Sequence, residues 1–338
     1  MNWFPKRIPL MGLLLFLALL LPLVIHNNYL LHVMVLVGIW VVLALSLNFV
    51  TGFAGQLALG HAAFVTIGAY AGALLMVNNG WPFWSALAIG GGTAFISGLI
   101  LGLMAMRLRG DYLGMVTMGF GEIVRLVAIN SIDVTRGPMG LPGIPRVHIL
   151  GYTFRGEVPY YYLILVLIVL TFVCIQRLLF SRFGRACLAM RDDEQAAEAM
   201  GVVSFRYKVI SFCISSCIAG LIGVFYASWV TLYSPDSFVM TDSIMMSAMI
   251  TLGGIGSLYG PIFGAIVIGV LPELLRPITA GPGVASLRLA GVGLLMVVFL
   301  ILRPSGLFGT SIKQVYVSLA PLRNLFLRSK LKGQGEQP

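Results

Sequence analysis

Charge is what this chain has least of. Only 10% of its residues are charged, 12 of them acidic, against a hydrophobic fraction of 59% and a mean hydropathy of +0.96. Soluble domains carry about 25% charged residues, so an ordinary water-soluble globular fold is excluded. Also missing is a Gly-x4-Gly-Lys-[Ser/Thr] loop, and no Gly-Lys dipeptide occurs anywhere. That absence excludes the usual glycine-rich cradle for nucleotide phosphates. Cysteine is sparse: Cys174, Cys187, Cys213 and Cys217 show neither metal-ligand spacing nor a disulfide framework. Cys213 and Cys217 share a helix face at i, i+4, where small apolar packing is the simpler role. His26, His32 and His148 form no ligand cluster, so no metal is assigned. The formal charge of +10 would suit nucleic acid, but the basic residues sit in short segments between apolar runs. That placement is an orientation signal for a membrane protein, and no basic–aromatic pattern accompanies it.

What the chain has in abundance is long apolar runs. Crossing about 30 Å of hydrocarbon takes roughly 20 residues of helix. The runs predict spans near 8–25, 30–50, 60–77, 82–106, 112–130, 159–176, 209–230 and 285–302. The stretch 240–275 is too long for one span, and Gly253-Gly254-Ile-Gly256-Ser-Leu-Tyr-Gly260-Pro261 interrupts it, so it divides into 240–254 and 260–275. The first run is longer than a signal-peptide core of about 7–15 residues, and no small-x-small site follows it, which favours a retained span. Ten spans put both termini on one side with sixteen basic residues: Lys6, Arg7, Arg107, Arg109, six in 177–208 and six in the tail 303–338. The other side holds Arg136, Arg146, Arg155, Arg276 and Arg288, while Arg125 lies within a span. Nine spans would place the basic tail outside, against the positive-inside rule.

One polar island stands out. From Arg177 to Lys208 the chain carries six basic and four acidic residues between two spans, too polar for hydrocarbon. Asp192 reads as an N-cap with Gln195 three residues on, Asp193 and Glu194 suit the first turn, and Gly201 supplies the stop. The expected helix has about eight residues, roughly 12 Å. Ala189, Met190, Ala196, Ala197 and Met200 form one side; Arg191, Glu194, Gln195 and Glu198 form the other. Ser204 would cap the lead-in to the seventh span. An amphipathic helix lying on the membrane surface is the plainer alternative.

Within the island, Gln195-Ala-Ala-Glu-Ala-Met-Gly201 resembles the EAA-x3-G docking signature of ABC-importer permeases, with Gln195 in place of the first acidic residue. Four further blocks resemble the LivM-like branch of branched-chain amino-acid permeases: Thr51 to Phe64, Arg109-Gly-Asp-Tyr112 with Gly119 to Arg125, Arg136 to Gly143, and Leu252 to Pro261. In register, these cover roughly residues 40–305. The resemblance implies an all-α, polytopic, type II-like permease of about ten transmembrane helices, forming a single domain over 1–338. It implies a cytoplasmic ATPase-coupling loop at 177–208 and a basic cytoplasmic tail at 303–338. The coupling residues would be Asp192, Glu194, Gln195, Ala196, Ala197, Glu198 and Gly201. It further implies a transport subunit of the bacterial inner membrane with no catalytic residues and no bound cofactor. ATP and Mg would belong to two partner ATPases, beside a homologous LivH-like permease and an extracytoplasmic amino-acid-binding protein. Leucine, isoleucine and valine are the implied solutes; urea or short amides are the alternative, and an ion-coupled secondary transporter is the rival class.

Polar residues inside spans mark a candidate translocation pathway. Glu122 and Arg125 pair at i, i+3 in the fifth span, and an ionisable group there normally faces the bundle interior or a wet cavity. Gln56, Gly60 and His61 lie in the glycine-rich entry to the third span. A structural ion pair, and local hydrogen bonding in a re-entrant turn, are the competing readings. Gly55 to Gly60 and Gly254 to Gly260 echo each other, as in repeats that meet at a shared midplane. Gly68/Gly72, Gly98/Gly102 and Gly260/Gly264 have the spacing of close helix packing. The 131–158 loop, rich in proline and glycine, offers a landing surface for a binding protein or an inert connector.

Overall fold

A computed structural model of the chain describes residues 18–22, 27–105, 108, 110–149, 152–275 and scattered positions from 291 to 307. Helices account for most of it: α1 (Asn28–Asn48), running into a π-turn at Phe49–Phe53, α2 (His61–Asn79), α3 (Phe83–Ala105), α4 (Asp111–Asn130), the short α5 (Ile132–Thr135), α6 (Glu157–Phe180), α7 (Arg182–Asp192), α8 (Glu194–Ala199), α9 (Ser204–Val230), α10 (Met240–Gly253) and α11 (Gly260–Leu275). Among the described residues six helices are long and apolar enough to cross a membrane: α1 with its π-turn, α2, α3, α4, α6 and α9. α10 and α11 are shorter and sit where the divided stretch was expected. The expected spans 8–25 and 285–302 fall mostly outside the described residues.

α9 is the axis of the bundle. It packs on α2 and α3 and also touches α1, while α1 packs against α6 and α11. Glycine permits this closeness: a Cβ at Gly68 of α2 would press into the backbone of Gly220 of α9, and one at Gly90 of α3 would lie 2.7 Å from the Gly68 carbonyl oxygen. Without a hydrophobic force between helices in lipid, such backbone approaches and their dispersion contacts supply the association. The expected packing glycines Gly68, Gly72, Gly98 and Gly102 all face α9.

The described residues of the 131–158 loop form a cap. Its strand β1 (Leu141–Pro142) pairs antiparallel with β4 (Leu232–Tyr233) after α9, and β2 (His148–Ile149) pairs with β3 (Tyr152–Thr153). Tyr160 Oη donates to the Ser228 carbonyl at 3.1 Å, and Ser228 Oγ donates to the Pro145 carbonyl at 2.8 Å. Leu141, Ile144 and Val147 are buried, whereas Ile132, Val134 and Met139 stay exposed.

Candidate coupling hairpin and polar pathway

The polar island folds as a helical hairpin, α7 then α8, between α6 and α9. Ser181 starts it, its Oγ accepting from Gly184 N at 3.4 Å. Asp193, in extended conformation between the two helices, caps α8: its Oδ1 accepts from Ala196 N at 3.0 Å. This corrects the expected cap by one residue. Asp192 instead closes α7 and meets the Arg191 guanidinium at 3.3 Å. The reason is the extended φ of Asp193, which breaks one helix into two; a carboxylate in either position reads alike in sequence. α8 is accordingly six residues rather than eight. Gly201, at φ +86°, turns the chain away through the left-handed region that suits glycine.

The hairpin's inner side also differs from expectation. Cys187, Met190 and Ala197 are buried together against Ala54, at the end of the π-turn, with Phe183, Val202 and Tyr207 around them. Ala196 and Met200, expected beside them, face outward with Gln195 and Glu198. Lys208 of α9, with a side chain only 5% exposed, donates to Glu194 Oε1 at 2.6 Å and bolts α8 to the bundle. Ser204 does not cap α9: Val203 holds that position, and the buried Ser204 Oγ has no hydrogen-bond partner among the described residues. Burial pushes the Cys187 thiol up from its ordinary range, despite its contact with Ser211 Oγ at 3.5 Å.

Two glycine-rich breaks meet just above the hairpin. The first is the π-turn and the segment to Gly60; the second runs from Gly254 to Tyr259 between α10 and α11. Asn48, 1% exposed, joins them: its Oδ1 accepts from Gly256 N at 3.1 Å, and its Nδ2 donates to the Ser257 carbonyl at 2.9 Å. A Cβ at Gly52 would lie 2.5 Å from Gly256 N, so the breaks touch through backbone. Arg191 reaches up from α7 and donates from Nη1 to the Gly52 carbonyl at 3.0 Å. Neither Arg191 nor Asn48 stood out in sequence; Asn48, polar at the end of an apolar run and four residues before Gly52, carried the only signal.

The candidate pathway residues divide. Gly60 and Arg125 line one narrow cleft of about 10 Å³ with Ala62, Ala63, Phe238 and Ser243, room for about a single water. Glu122 Oε1 accepts from Arg125 Nη1 at 2.9 Å as expected, but Asp236, from the loop before α10, also accepts from Arg125 at 2.7 Å. The trio is not buried: the Arg125 and Glu122 side chains on α4 and the Asp236 side chain beside them are 31%, 45% and 59% exposed. Gln56 and His61 are buried and do not line the cleft. Gln56 Nε2 donates to the Ala54 carbonyl at 3.2 Å, and His61 Nε2 lies 2.8 Å from Ser46 Oγ. Neighbouring helices satisfy two backbone donors at the end of the break: Leu59 N donates to Thr117 Oγ1 and Ala62 N to Ser243 Oγ, while the buried Thr51 Oγ1 has no hydrogen-bond partner among the described residues. Irregular backbone at membrane depth requires such cover.

A family model described as the permease component of branched-chain amino acid transport systems matches residues 29–301, which takes in both breaks, the hairpin and α4. The chain belongs to this permease family. Over 292 residues it is 38% identical to the high-affinity branched-chain amino acid transport system permease protein LivM of Escherichia coli K12, covering 80% of this chain and 67% of that one. The probable branched-chain amino acid transport permease LivM of Methanocaldococcus jannaschii is 26% identical, with 80% and 90% covered. The high-affinity branched-chain amino acid permease LivH of Escherichia coli K12 is 23% identical, with 80% and 91% covered. As in the rest of this permease family, the chain is a multi-pass membrane transport subunit.

Proposed function

We propose that this chain is one permease of an ATP-driven importer that carries leucine, isoleucine and valine across the bacterial inner membrane by alternating access. One observation carries the reading: in a permease of this family, a capped helical hairpin projects from the membrane bundle with Gln195, Ala196 and Glu198 outward. Two ATPase subunits, which bind ATP and Mg, receive the hairpin. Ala196 presents a small surface that enters a groove, and the Lys208–Glu194 pair keeps α8 rigid enough to transmit a push. A LivH-like second permease packs beside this one, and the charged face of α4 borders the route between them, since ionisable residues avoid lipid. The 131–158 cap, with exposed Ile132, Val134 and Met139, receives the amino-acid-binding protein on the outer side.

The arrangement is type II-like with ten spans and both termini cytoplasmic, supported by sixteen basic residues on one side against five on the other. Reconstitution with the second permease, the ATPases and the binding protein tests the function. Leucine-loaded binding protein is expected to stimulate ATP hydrolysis and to drive uptake; uptake that persists without ATPases under an ion gradient would overturn it. A single cysteine placed at Lys332 in a cysteine-free background is expected to stay unlabelled from outside intact cells. Labelling there would remove the ten-span arrangement.

A further inference from the structure

The coupling hairpin meets α9 through the Lys208–Glu194 pair and meets the junction of the two glycine breaks separately, where Arg191 makes the polar connection. Arg191 extends from the end of α7 and donates to the Gly52 carbonyl at 3.0 Å. Its aliphatic stem lies over Gly55, where an added Cβ would come within 3.2 Å of Arg191 Cγ. Its guanidinium lies over Gly256, whose φ of +75° and missing side chain leave room for it. Arg191 Nε and Nη2 are braced by Asp192 Oδ1 at 3.4 and 3.3 Å, so the planar fork holds one orientation.

From Gly52 the contacts continue without a gap. Gly52 belongs to the π-turn, a locally widened, underwound geometry that concentrates at functional positions. Asn48, one turn earlier, grips Gly256 N and the Ser257 carbonyl of the second break. Ser257 Oγ in turn accepts from Gly260 N at 2.9 Å, at the start of α11. Beneath the polar chain, Ala54 is packed among Cys187, Met190 and Ala197. A displacement of α7 and α8 therefore reaches both broken helices through one guanidinium and one carboxamide.

We infer that Arg191 is a positioning residue, which with Asn48 relays movement of the coupling hairpin to both glycine breaks. The inference rests on the reading that α7 and α8 receive the ATPases. Tight-packed helix ends with backbone carbonyls as attachment points move as bodies rather than deform. Glycine at Gly52 is then needed for close approach, and at Gly55 and Gly256 for approach by Arg191 together with a left-handed backbone.

The test uses the full complex in proteoliposomes, with leucine uptake counted per ATP hydrolysed in the presence of leucine-loaded binding protein. Arg191→Met is expected to lower that ratio by about tenfold or more, as loss of a charge-assisted hydrogen bond implies, while the ATPases still co-purify in full amount. Arg191→Lys, which keeps one donor, is expected to recover part of the ratio. Asn48→Ala is expected to show the same uncoupling, and Arg191→Met with Asn48→Ala to be no worse than either alone, because both act on one chain of contacts. An unchanged ratio in Arg191→Met, or multiplicative losses in the double variant, would overturn the relay. Release of the ATPases by Arg191→Met would also overturn it, since Arg191 would then belong to the dock. Ala196→Trp separates this from the docking reading: retained co-purification and ATPase stimulation there would remove the dock itself.

Discussion

The polar hairpin and the membrane helix α4 treat charge in opposite ways. Outside the membrane, where water is at hand, the hairpin buries its key pair: the Lys208 side chain is 5% exposed beside Glu194. On α4, where lipid would penalise charge, Arg125 and Glu122 sit on an outer face, joined there by Asp236 from the loop before α10. The difference shows what each pair is for. A buried ion pair fixes one geometry and fails badly when one partner is lost. An exposed trio in a membrane chain instead marks a face that meets something other than hydrocarbon.

The comparison breaks first at Lys208. Lys208→Met leaves Glu194 in a mostly buried site, at a cost of about 3 kcal/mol. Thermal unfolding of the purified subunit is expected to shift accordingly, with part of the loss recovered by adding Glu194→Gln. A double-variant loss equal to the sum of the two single losses would show that the pair contributes no coupling. Next is Gly52→Ala, which drives a Cβ against Gly256 N and the Asn48 side chain. Overpacking of that kind costs about 1–3 kcal/mol, and uptake is expected to fall even where the protein inserts; full activity would mean that the breaks can separate cheaply.

The α4 trio should respond more gently in stability. Glu122→Gln or Asp236→Asn is expected to cost no more than about 1 kcal/mol, the range of solvent-exposed pairs, and Arg125 retains one acidic partner in each. Uptake in the reconstituted complex is the sharper readout, and Arg125→Met is expected to depress it more than either acidic replacement. Uptake equal to wild type in all three would make the trio a surface feature only. The smallest effect is chemical: with its pKa raised by burial, the Cys187 thiol carries little thiolate near neutral pH. Maleimide is expected to label it slowly in the folded protein and readily after denaturation. Fast labelling of the native form would show that the hairpin opens.

Much of the layout was legible because hydrophobic run length and helix-breaking residues are local properties. The run 82–106 became Phe83–Ala105, 209–230 lies inside Ser204–Val230, and Gly254 to Tyr259 interrupts two short helices where the glycines said it would. The island between α6 and α9 was legible from polarity alone. Details of the island were not: the cap moved from Asp192 to Asp193, and Ala196 turned outward while Ala197 turned in. Two adjacent aspartates and two adjacent alanines are equivalent to any local rule, and only the packing of Ala54 against Cys187 and Met190 separates them.

Sequence by itself determined a helical membrane chain, the positions of the six long apolar helices among the described residues, its glycine breaks and its one charged excursion, because burying backbone in lipid leaves the chain few choices. Tertiary structure decided which of those features touch. Arg191 finds Gly52 across 139 residues, Asn48 finds Gly256 across 208, and Arg125 gains Asp236 across 111. Such contacts depend on how α9 seats among α1, α2 and α3, and that seating is set by glycine-to-glycine approach between helices distant in the chain, which no local pattern of residues specifies.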